Sequence, residues 1–478
     1  MTDATFPRKT KIVATLGPAS SGREVLGRMI DAGLNVARLN FSHGDHASHR
    51  QVIKTLREIS EEKGVEVGIL QDLSGPKIRL GAISERRLET GQRIRLVVGQ
   101  GETPPDALSV NYEFLADDVE VGSRILLADG RMELKILGKD GEGLLAEVLT
   151  GGEISAHKGV NLPDSNLRVR AFTEKDKLDL TVGLDAGVDF VAMSFVRHED
   201  DLKPVREMIN RSTKPPLLIA KIEKPQALKR IPQILDVADG LMVARGDLGV
   251  EMALEDVPHI QKMLINSARR RGKVVITATQ MLASMVSSPR PTRAEVTDVA
   301  NAILDGTGAV MLSDETAVGQ YPVESVEILD RVARATEPQI DAEKFLEEEM
   351  DEALNPMGAS ITHAVSILAK ERGAKAIVAI TQTGSTARLV SHFRQRVPVV
   401  GMTSSRTTFR QLTISWGVIP ALAPACDSVT LLEQLASEFL VKNKLATKGD
   451  VVFITCGLPL QRSGTTNLIK LLDIGETV

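Results

Sequence analysis

Charged and hydroxyl side chains stand at the ends of short apolar runs along much of this chain. Lys221 and Glu223 end one run two residues apart, a spacing that points both side chains the same way on a strand. Asp247 follows the next run, and Glu223 and Asp247 together can hold one Mg²⁺ through oxygen ligands while leaving positions for substrate oxygens. The alternative is a salt-bridge network without a ligand, but so many charges are costly to pack together without one.

A glycine-rich segment with the sequence RGDLG, residues 245–249, surrounds Asp247. It directly follows an apolar run, so we expect a turn that can offer backbone N–H groups to a carboxylate or a phosphate. The chain has neither a G-x-x-x-x-G-K-[ST] sequence nor a D-F-G sequence, which excludes a P-loop enzyme and a protein-kinase-like site.

Eight short apolar runs rich in Val and Ile must position these groups. Amphipathic stretches such as 257–271, 293–304 and 323–335 lie between most of them, and this alternation predicts a parallel sheet wrapped in helices. Eight runs match a closed (β/α)8 barrel, whose active site lies at the C-terminal ends of its strands. The runs are residues 11–16, 36–41, 68–72, 190–195, 217–222, 240–244, 274–278 and 309–312. The polar residues at their ends are Arg38, Asn40, Ser42, His43, Asp72, Ser194, Lys221, Glu223, Arg245, Gly246, Asp247, Thr279, Gln280 and Ser313.

One connection departs from the alternation and predicts an inserted domain. Between residues 76 and 170 the pattern changes to short strands with many glycines, with Asp129-Gly130 as a hairpin turn. The predicted class is α/β, with a (β/α)8 barrel at 1–75 and 171–340 and an inserted β-barrel lid domain at 76–170. A C-terminal α/β domain follows at 341–478. We interpret the acidic run 347–349 as a solvated helix end or linker.

Length and composition agree with a multidomain globular protein. A chain of 478 residues exceeds what one hydrophobic core normally holds and suggests about three domains. The net charge of −5 gives no reason to expect nucleic acid as a partner. Only Cys426 and Cys456 occur, which fits a reducing compartment, and no stretch approaches a membrane span or a signal core. We therefore expect a cytoplasmic protein without a membrane partner.

Several segments together resemble pyruvate kinase, in its bacterial form, from about residue 10 to the C-terminus. Any one of these segments alone would be weak, but the set is highly specific. They are ARLNFSHG at 37–44, KIE at 221–223, MVARGDLG at 242–249, ATQM at 278–281, PTRAE at 291–295, DVANA at 298–302, MLS at 311–313 and ETA at 315–317.

The resemblance implies phosphoryl transfer from phosphoenolpyruvate to ADP, giving pyruvate and ATP in glycolysis. Such a reaction needs positioning and neutralisation of charge more than a nucleophile. Arg38, Lys221 and Thr279 would be catalytic, with Arg38 on the substrate phosphate and Thr279 near the position where the enolate gains its proton. Glu223 and Asp247 would hold Mg²⁺, for which Mn²⁺ can substitute. The implied substrate-binding residues are Arg38, Lys221, Gly246, Asp247 and Thr279.

The resemblance also implies a nucleotide side to the site, with a residue contributed by the lid. Its residues would be Asn40, Ser42, His43, Arg79 and Lys158. The spacing of His43, His46 and His49 is also compatible with zinc, but no cysteine or carboxylate completes a tetrahedral set. A role for His43 near the nucleotide is the interpretation we favour.

Lys77 departs from the animal form of the family, in which an acidic residue at this position accompanies a requirement for potassium. The Lys77 ammonium would supply the charge otherwise given by K⁺, so the expected enzyme does not require K⁺. The alternative is that Lys77 faces solvent at the lid hinge. Asp164 and Asp314 stand where glycine is common in the family, and the sequence gives no account of either.

The segment TQTGSTA at 381–387 places hydroxyls and a glycine at a predicted helix start, which suits phosphate binding. In the family this region resembles the allosteric pocket, faced by the loop 462–466. The predicted effector residues are Thr381, Thr383, Gly384, Ser385 and Thr386, and a sugar phosphate or AMP would be the effector. A plain helix-capping turn is the alternative. A homotetramer is expected from the family alone.

Two other functions remain open from the sequence. A barrel of this kind can act as a Mg²⁺-dependent lyase or phosphomutase on a 2-oxo acid, although the lid and C-terminal domains argue against it. A non-catalytic metabolite sensor would require the loss of a catalytic group, yet the implied catalytic residues are all present.

Overall fold

The structure is a computed structural model that describes residues 7–475 apart from 142, 166, 349–354, 461 and 463. Glu349 of the acidic run and Ser463 of the loop at 462–466 lie outside the described residues. Helices and strands are numbered separately in chain order. Among the helices described, none combines the length and the hydropathy needed to cross a membrane.

Eight parallel strands close a barrel in the order β1-β16-β15-β14-β13-β12-β3-β2, which confirms the predicted (β/α)8 architecture. All eight predicted runs form strands. The predicted run 190–195 is two residues too long, because the strand ends at Met193 and Phe195 leaves it with a φ of +56°. The barrel strands are β1 (Lys11–Leu16), β2 (Val36–Asn40), β3 (Gly68–Leu73), β12 (Phe190–Met193), β13 (Leu217–Ile222), β14 (Gly240–Ala244), β15 (Val274–Ala278) and β16 (Ala309–Leu312).

The helices around the barrel begin where the sequence offers capping side chains. Asp45 accepts the backbone N–H of Ser48 at the start of one helix, and Gly64 ends that helix in the left-handed conformation. The helices are α1 (Arg23–Asp31), α2 (His46–Lys63), α4 (Glu174–Ala186), α5 (Glu199–Asn210), α6 (Pro225–Leu228), α7 (Ile231–Val237), α8 (Arg245–Glu251), α9 (Val257–Arg270), α10 (Arg293–Leu304), α11 (Asp314–Ala317) and α12 (Pro322–Thr336). The prediction of a turn at RGDLG is wrong, since these residues form the short helix α8.

The described residues of the insertion after β3 form strands and one short helix, α3 (Leu115–Asp118). It forms a six-stranded sheet in the order β11-β7-β8-β9-β5-β6 and a two-stranded sheet of β10 and β4. Asp129 and Gly130 have positive φ angles in the turn between β7 and β8, as the hairpin prediction requires. The strands are β4 (Arg86–Leu88), β5 (Arg93–Val98), β6 (Ala107–Val110), β7 (Arg124–Leu127), β8 (Met132–Asp140), β9 (Gly143–Thr150), β10 (Gly152–Ile154) and β11 (Val160–Asn161).

The C-terminal domain is built on a five-stranded sheet in the order β19-β18-β17-β20-β21, with β21 antiparallel to β20. Its strands are β17 (Ile377–Ile380), β18 (Val399–Thr403), β19 (Val418–Leu422), β20 (Val451–Gly457) and β21 (Thr466–Asp473). Its helices are α14 (Pro356–Glu371), α15 (Ser385–His392), α16 (Arg406–Gln411) and α17 (Val429–Lys442), and α13 (Ala342–Glu347) precedes them. The domain boundaries set from the sequence stay a prediction.

The interior of the barrel is a packed core, and a residue of the C-terminal domain packs into it at the N-terminal end of the strands. Buried side chains of the strands, including Phe190 and Met242, form one apolar cluster inside the barrel. Ile414, from the C-terminal domain, belongs to the same cluster and is fully buried. The N-terminal end of the barrel is therefore sealed, and the opposite end remains for a ligand.

Candidate active site

Five side chains from neighbouring barrel strands form one charge network at the C-terminal rim. Asp72 Oδ2 accepts a hydrogen bond from Arg38 Nε at 2.7 Å, and Asp72 Oδ1 lies 3.2 Å from Lys221 Nζ. Lys221 Nζ also lies 2.9 Å from Glu223 Oε1 and donates to Ser194 Oγ at 2.7 Å. Because β2, β3, β12 and β13 are adjacent in the barrel, residues far apart in sequence meet here.

The network fixes the charge of Lys221. Burial alone would lower the pKa of this ammonium, but Asp72 and Glu223 outweigh burial and raise its pKa above the ordinary lysine value. Asp72 is 1% exposed, and although burial opposes its charge, Lys221 and Arg38 hold its pKa below the usual range. Lys221 therefore stays charged at the rim, where it can attract a phosphate or a carboxylate.

Thr279 and the start of helix α8 form the next part of the rim. Gly246 N donates to Thr279 Oγ1 at 2.7 Å, and Thr279 Oγ1 donates to the carbonyl of Ala278 at 2.6 Å. Thr279 and Gln280 have φ angles of +68° and +55°, which are costly for residues other than glycine. Arg245 supports this backbone, since its Nη2 donates to the Thr279 carbonyl at 2.8 Å.

Glu223 and Asp247 have the chemistry of a divalent-cation site. Glu223 is anchored by the backbone N–H of Phe195, which donates to its Oε2 at 2.8 Å. Asp247 has neither a hydrogen-bond donor nor an ion pair for its carboxylate among the described residues. Loss of hydration and repulsion by Glu223 raise its pKa to about 6 although water reaches it.

The donor set fits Mg²⁺, which is commonly held by one or two carboxylates while water and substrate oxygens fill the other positions. No group of three or more His, Cys, Asp or Glu side chains that could hold a metal is found in the described part of the chain. The zinc alternative for His43, His46 and His49 is therefore not supported there. His46 Nε2 instead lies 2.7 Å from Asp179, and His49 Nε2 lies 2.9 Å from the His43 carbonyl oxygen.

A cleft of about 190 Å³ separates the rim from the inserted domain, and Lys77 lines it together with Asp247. Lys77 is half-buried there. Burial, followed by repulsion from Arg79 and Lys175, lowers the pKa of Lys77 to about 8. The lysine faces the same cleft as the candidate metal ligand, which favours a role in the site over a solvent-facing hinge.

The predicted nucleotide residues are only partly brought together. Asn40 Oδ1 accepts the backbone N–H of Ser42 at 3.1 Å, and His43 follows in the same loop. Burial and the nearby Lys77 and Arg79 lower the pKa of His43, which places the rim loop close to both cations. Lys158 lies apart on the inserted domain, with an exposed side chain that makes no hydrogen bond or ion pair to the rim within the described residues.

Sequence reasoning gave no role to Asp72 or Ser194, although both were noted at strand ends. Only the closure of the barrel shows that they share Lys221. A second contact was missed entirely: Glu251 Oε1 accepts from Lys224 Nζ at 2.6 Å and from Asn161 Nδ2 at 2.8 Å, and so links the inserted domain to the barrel. No sequence pattern marks such a contact between distant segments.

The structure also accounts for one unexplained aspartate. Asp164 lies on the inserted domain, and its carboxylate accepts the backbone N–H of Arg124 at 3.0 Å and the Arg124 Nη2 at 3.1 Å. Asp314 begins helix α11 and lies near enough to His43 to oppose the lowering of the histidine pKa.

Four of the five predicted effector residues, all except Gly384, line a pocket of about 50 Å³ in the C-terminal domain. Thr381 Oγ1 accepts from Gly384 N at 2.9 Å, so one hydroxyl supports the turn itself. Thr386 Oγ1 lies 2.8 Å from Thr466 Oγ1, which joins the two predicted loops. Thr383, Ser385 and Arg462 line the same pocket.

A closed parallel barrel with cations, carboxylates and a strained threonine at its C-terminal rim is typical of the (β/α)8 enzymes, and the cations suit an anionic ligand. Residues 7–326 match the family model described as "Pyruvate kinase, barrel domain", and residues 359–472 match "Pyruvate kinase, alpha/beta domain". The chain therefore belongs to the pyruvate kinase family, a family of phosphotransferases.

Curated relatives agree over nearly the whole chain. The chain is 46% identical to "Pyruvate kinase" of Sporosarcina psychrophila, over 98% of this chain and 81% of the relative. It is 47% identical to "Pyruvate kinase 2" of Synechocystis, over 98% of this chain and 80% of the relative. The identity to "Pyruvate kinase" of Geobacillus stearothermophilus is 43%, again over 98% and 81%.

Proposed function

We propose that the rim transfers the phosphoryl group of phosphoenolpyruvate to ADP, with Arg38 and Lys221 as the phosphate-binding cations. The observation that carries this proposal is the network in which Asp72 holds Arg38 and lies beside Lys221. Lys221, kept charged by its neighbours, suits the negative charge that spreads over the phosphoryl oxygens during transfer. In this proposal Gly246 and Thr279 would bind the substrate carboxylate, and Thr279 Oγ1 would lie close to the carbon that is protonated.

Glu223 and Asp247 would hold Mg²⁺ in this proposal, with Mn²⁺ as a substitute. When bound, the ion supplies positive charge to the phosphoryl and carboxylate oxygens of the substrate. Lys221 and Arg38 would bind the phosphoryl oxygens, and Asp72 keeps both cations in place. The nucleotide would bind towards Asn40, Ser42, His43 and Arg79, with Lys158 approaching from the inserted domain.

The test is the initial rate of pyruvate formation from phosphoenolpyruvate and ADP in the presence of Mg²⁺. The wild-type protein should release pyruvate, and Glu223→Gln should lower the rate by about 100-fold or more, since it removes a charge from the metal site. Glu255→Gln, at an exposed position outside the rim network, is the matched control and should retain the rate. A rate that does not depend on Mg²⁺, or that survives Glu223→Gln, would contradict the proposal.

We also propose that Lys77 replaces K⁺, because its ammonium faces the cleft that Asp247 lines. The wild-type enzyme should be active in potassium-free buffer. Lys77→Glu should become dependent on added KCl, since the variant needs a cation where the ammonium stood. If the wild-type rate required KCl, or if Lys77→Glu behaved like wild type in both buffers, the proposal would be wrong.

A phosphorylated effector, either a sugar phosphate or AMP, would bind in the hydroxyl-lined pocket of the C-terminal domain. Thr383, Ser385, Thr386 and Arg462 are the groups available to its phosphate. Activation profiles with fructose 1,6-bisphosphate, ribose 5-phosphate and AMP should identify the effector, and Thr386→Val should weaken its effect about tenfold by removing one hydroxyl.

Light scattering would test the expected homotetramer, and a monomer would refute it.

A further inference from the structure

A small cavity of about 30 Å³ lies between the floor of the barrel and the C-terminal domain. Arg269 and Lys273 line it from the barrel, next to the first residue of β15. From the C-terminal domain come Arg388, His392 and Arg394. Thr279 stands at the opposite end of β15, and the effector pocket shares no lining residue with this cavity. The cavity is therefore separate from both sites described above.

The lining carries an excess of positive charge. Among the described residues, Arg269 is paired with Glu348, but no carboxylate lies within ion-pair distance of Arg388, Arg394 or Lys273. Asp239 acts on Arg388 and Lys273 only from a distance, and so do Glu337 and Glu348 on Arg394. Arg394 is buried, whereas Arg388 and Lys273 are partly exposed. A buried cation without a counter-ion is costly, so this lining is suited to an anion.

Polar atoms around the cavity also lack hydrogen-bond partners. Arg394 is 4% exposed; its Nη1 and Nη2 donate to the carbonyls of Ser391 and Gly306, and its Nε has no partner within the described structure. The Oγ of Ser415, the Nε1 of Trp416 and the Nε and Nη1 of Arg269 are likewise unpartnered. All five of these atoms carry an N–H or O–H, and a buried donor normally finds an acceptor.

His392 adds an acceptor to this set of donors. Its Nδ1 lies 2.7 Å from the Arg269 carbonyl oxygen, so the proton is on Nδ1 and the neutral ring presents Nε2 as an unpartnered acceptor. Burial, followed by repulsion from Arg269, lowers the pKa of His392 to about 3 and keeps the ring neutral. A ligand that fits must therefore accept several hydrogen bonds and donate one.

We propose that this cavity binds inorganic phosphate, held by Arg269, Arg394, Ser415 and Trp416 and donating its own O–H to His392 Nε2. Guanidinium groups match the oxygens of a tetrahedral anion better than a spherical ion. The volume exceeds the roughly 10–15 Å³ that one water needs and is smaller than that of the effector pocket. Sulfate has the same shape but carries no proton at neutral pH, so it lacks the bond to His392.

Bound phosphate would connect the two parts of the molecule that form the cavity. Arg394 already reaches the barrel through the Gly306 carbonyl, and Arg388 Nη2 donates to the Thr383 carbonyl of the predicted effector loop at 3.1 Å. An anion between these side chains neutralises their charge and ties the barrel floor to that loop.

The test uses the fluorescence of Trp416, the only tryptophan in the chain and a residue that lines the cavity. Inorganic phosphate is titrated into the full-length protein at constant ionic strength, with KCl and sulfate as separate titrations. We expect a saturable change with phosphate, a dissociation constant about tenfold weaker for sulfate, and none with KCl. The melting temperature should rise with phosphate over the same concentration range.

Ser415→Ala removes an unpartnered hydroxyl and should weaken phosphate binding about tenfold, and Arg394→Lys should weaken it at least as much. Ser60→Ala removes another buried, unpartnered hydroxyl far from the cavity, in α2, and should leave binding unchanged. The proposal is overturned if no saturable change occurs, or if KCl produces the same change. It is also overturned if the response is lost in Thr386→Val rather than in Ser415→Ala. A Ser415-dependent response to ribose 5-phosphate but not to inorganic phosphate would also overturn the proposal, because the cavity would then bind a larger ligand.

Discussion

Asp72 is almost fully buried and holds two cations of the rim in place. One of its carboxylate oxygens accepts a hydrogen bond from Arg38 Nε, and the other lies beside Lys221 Nζ. The sequence marks Lys221 and Glu223 by their spacing, because alternate residues of a strand face the same way. It does not mark Asp72, since only the order β2-β3-β12-β13 brings these side chains together.

Asp72→Asn tests this positioning role. The amide keeps the shape of the side chain but no longer compensates two cations, so we expect kcat to fall about 10- to 100-fold with a smaller change in KM. Steady-state kinetics with phosphoenolpyruvate varied would measure both. Asp164→Asn, which affects only the ion pair with Arg124 on the inserted domain, is the control and should leave kcat unchanged. A pure KM effect would show that Asp72 serves binding alone.

At the scale of the element, part of the family's sequence pattern serves the fold rather than the chemistry. Glu295 ends the PTRAE segment and forms a capping box with Thr292 at the start of α10. Its carboxylate also accepts from Ser284 N at 2.7 Å and from Ser284 Oγ at 2.5 Å. The motif thus fixes the loop after Thr279 to the next helix.

Glu295→Gln should destabilise the protein by about 1–3 kcal/mol near neutral pH, because charged hydrogen bonds become neutral ones. Burial opposes the charge on Glu295, but hydrogen bonds from Ser284 and Thr292 outweigh it and lower its pKa. The stabilisation is present above the ordinary glutamate pKa of about 4.3 and is lost as the pH falls through the lower folded value. Urea unfolding at several pH values should show the difference between the two proteins shrinking in acid; a constant difference would refute the role of the charge.

Helix α8 shows where local pattern fails. The glycines of RGDLG favour a turn, yet residues 245–251 are helical. Tertiary contacts explain this, since Arg245 Nη1 pairs with Asp298 at 2.7 Å and its Nη2 reaches the Thr279 carbonyl. The eight strands, by contrast, were predictable because buried parallel strands read as continuous apolar runs.

At the scale of the whole molecule, the C-terminal domain is part of the barrel's support. Ile414 packs into the interior cluster of the barrel, and His392 accompanies it at the interface. Contacts of this kind join segments separated by more than a hundred residues, so sequence periodicity predicted both domains without predicting how they meet.

The buried, neutral His392 makes this interface sensitive to acid. Its folded pKa of about 3 lies below the ordinary histidine value of about 6.5. The neutral ring therefore stabilises the folded protein above about pH 6.5, and this stabilisation is lost as the pH falls towards 3. Between about pH 7 and pH 5 in phosphate-free buffer, wild type should lose up to about 2 kcal/mol more than His392→Gln. Urea unfolding followed by Trp416 fluorescence would measure this, and equal losses would contradict it.

The central claim, that this rim passes a phosphoryl group between two bound substrates, is tested most directly by the stoichiometry of products. Phosphorus NMR of one reaction containing phosphoenolpyruvate, ADP and Mg²⁺ follows ATP, and an enzymatic assay of the same samples follows pyruvate. The account predicts equal amounts of ATP and pyruvate at every time point. Lys221→Met should form both products much more slowly than the wild-type protein. Pyruvate accumulating with inorganic phosphate instead of ATP, or in the absence of ADP, would contradict it.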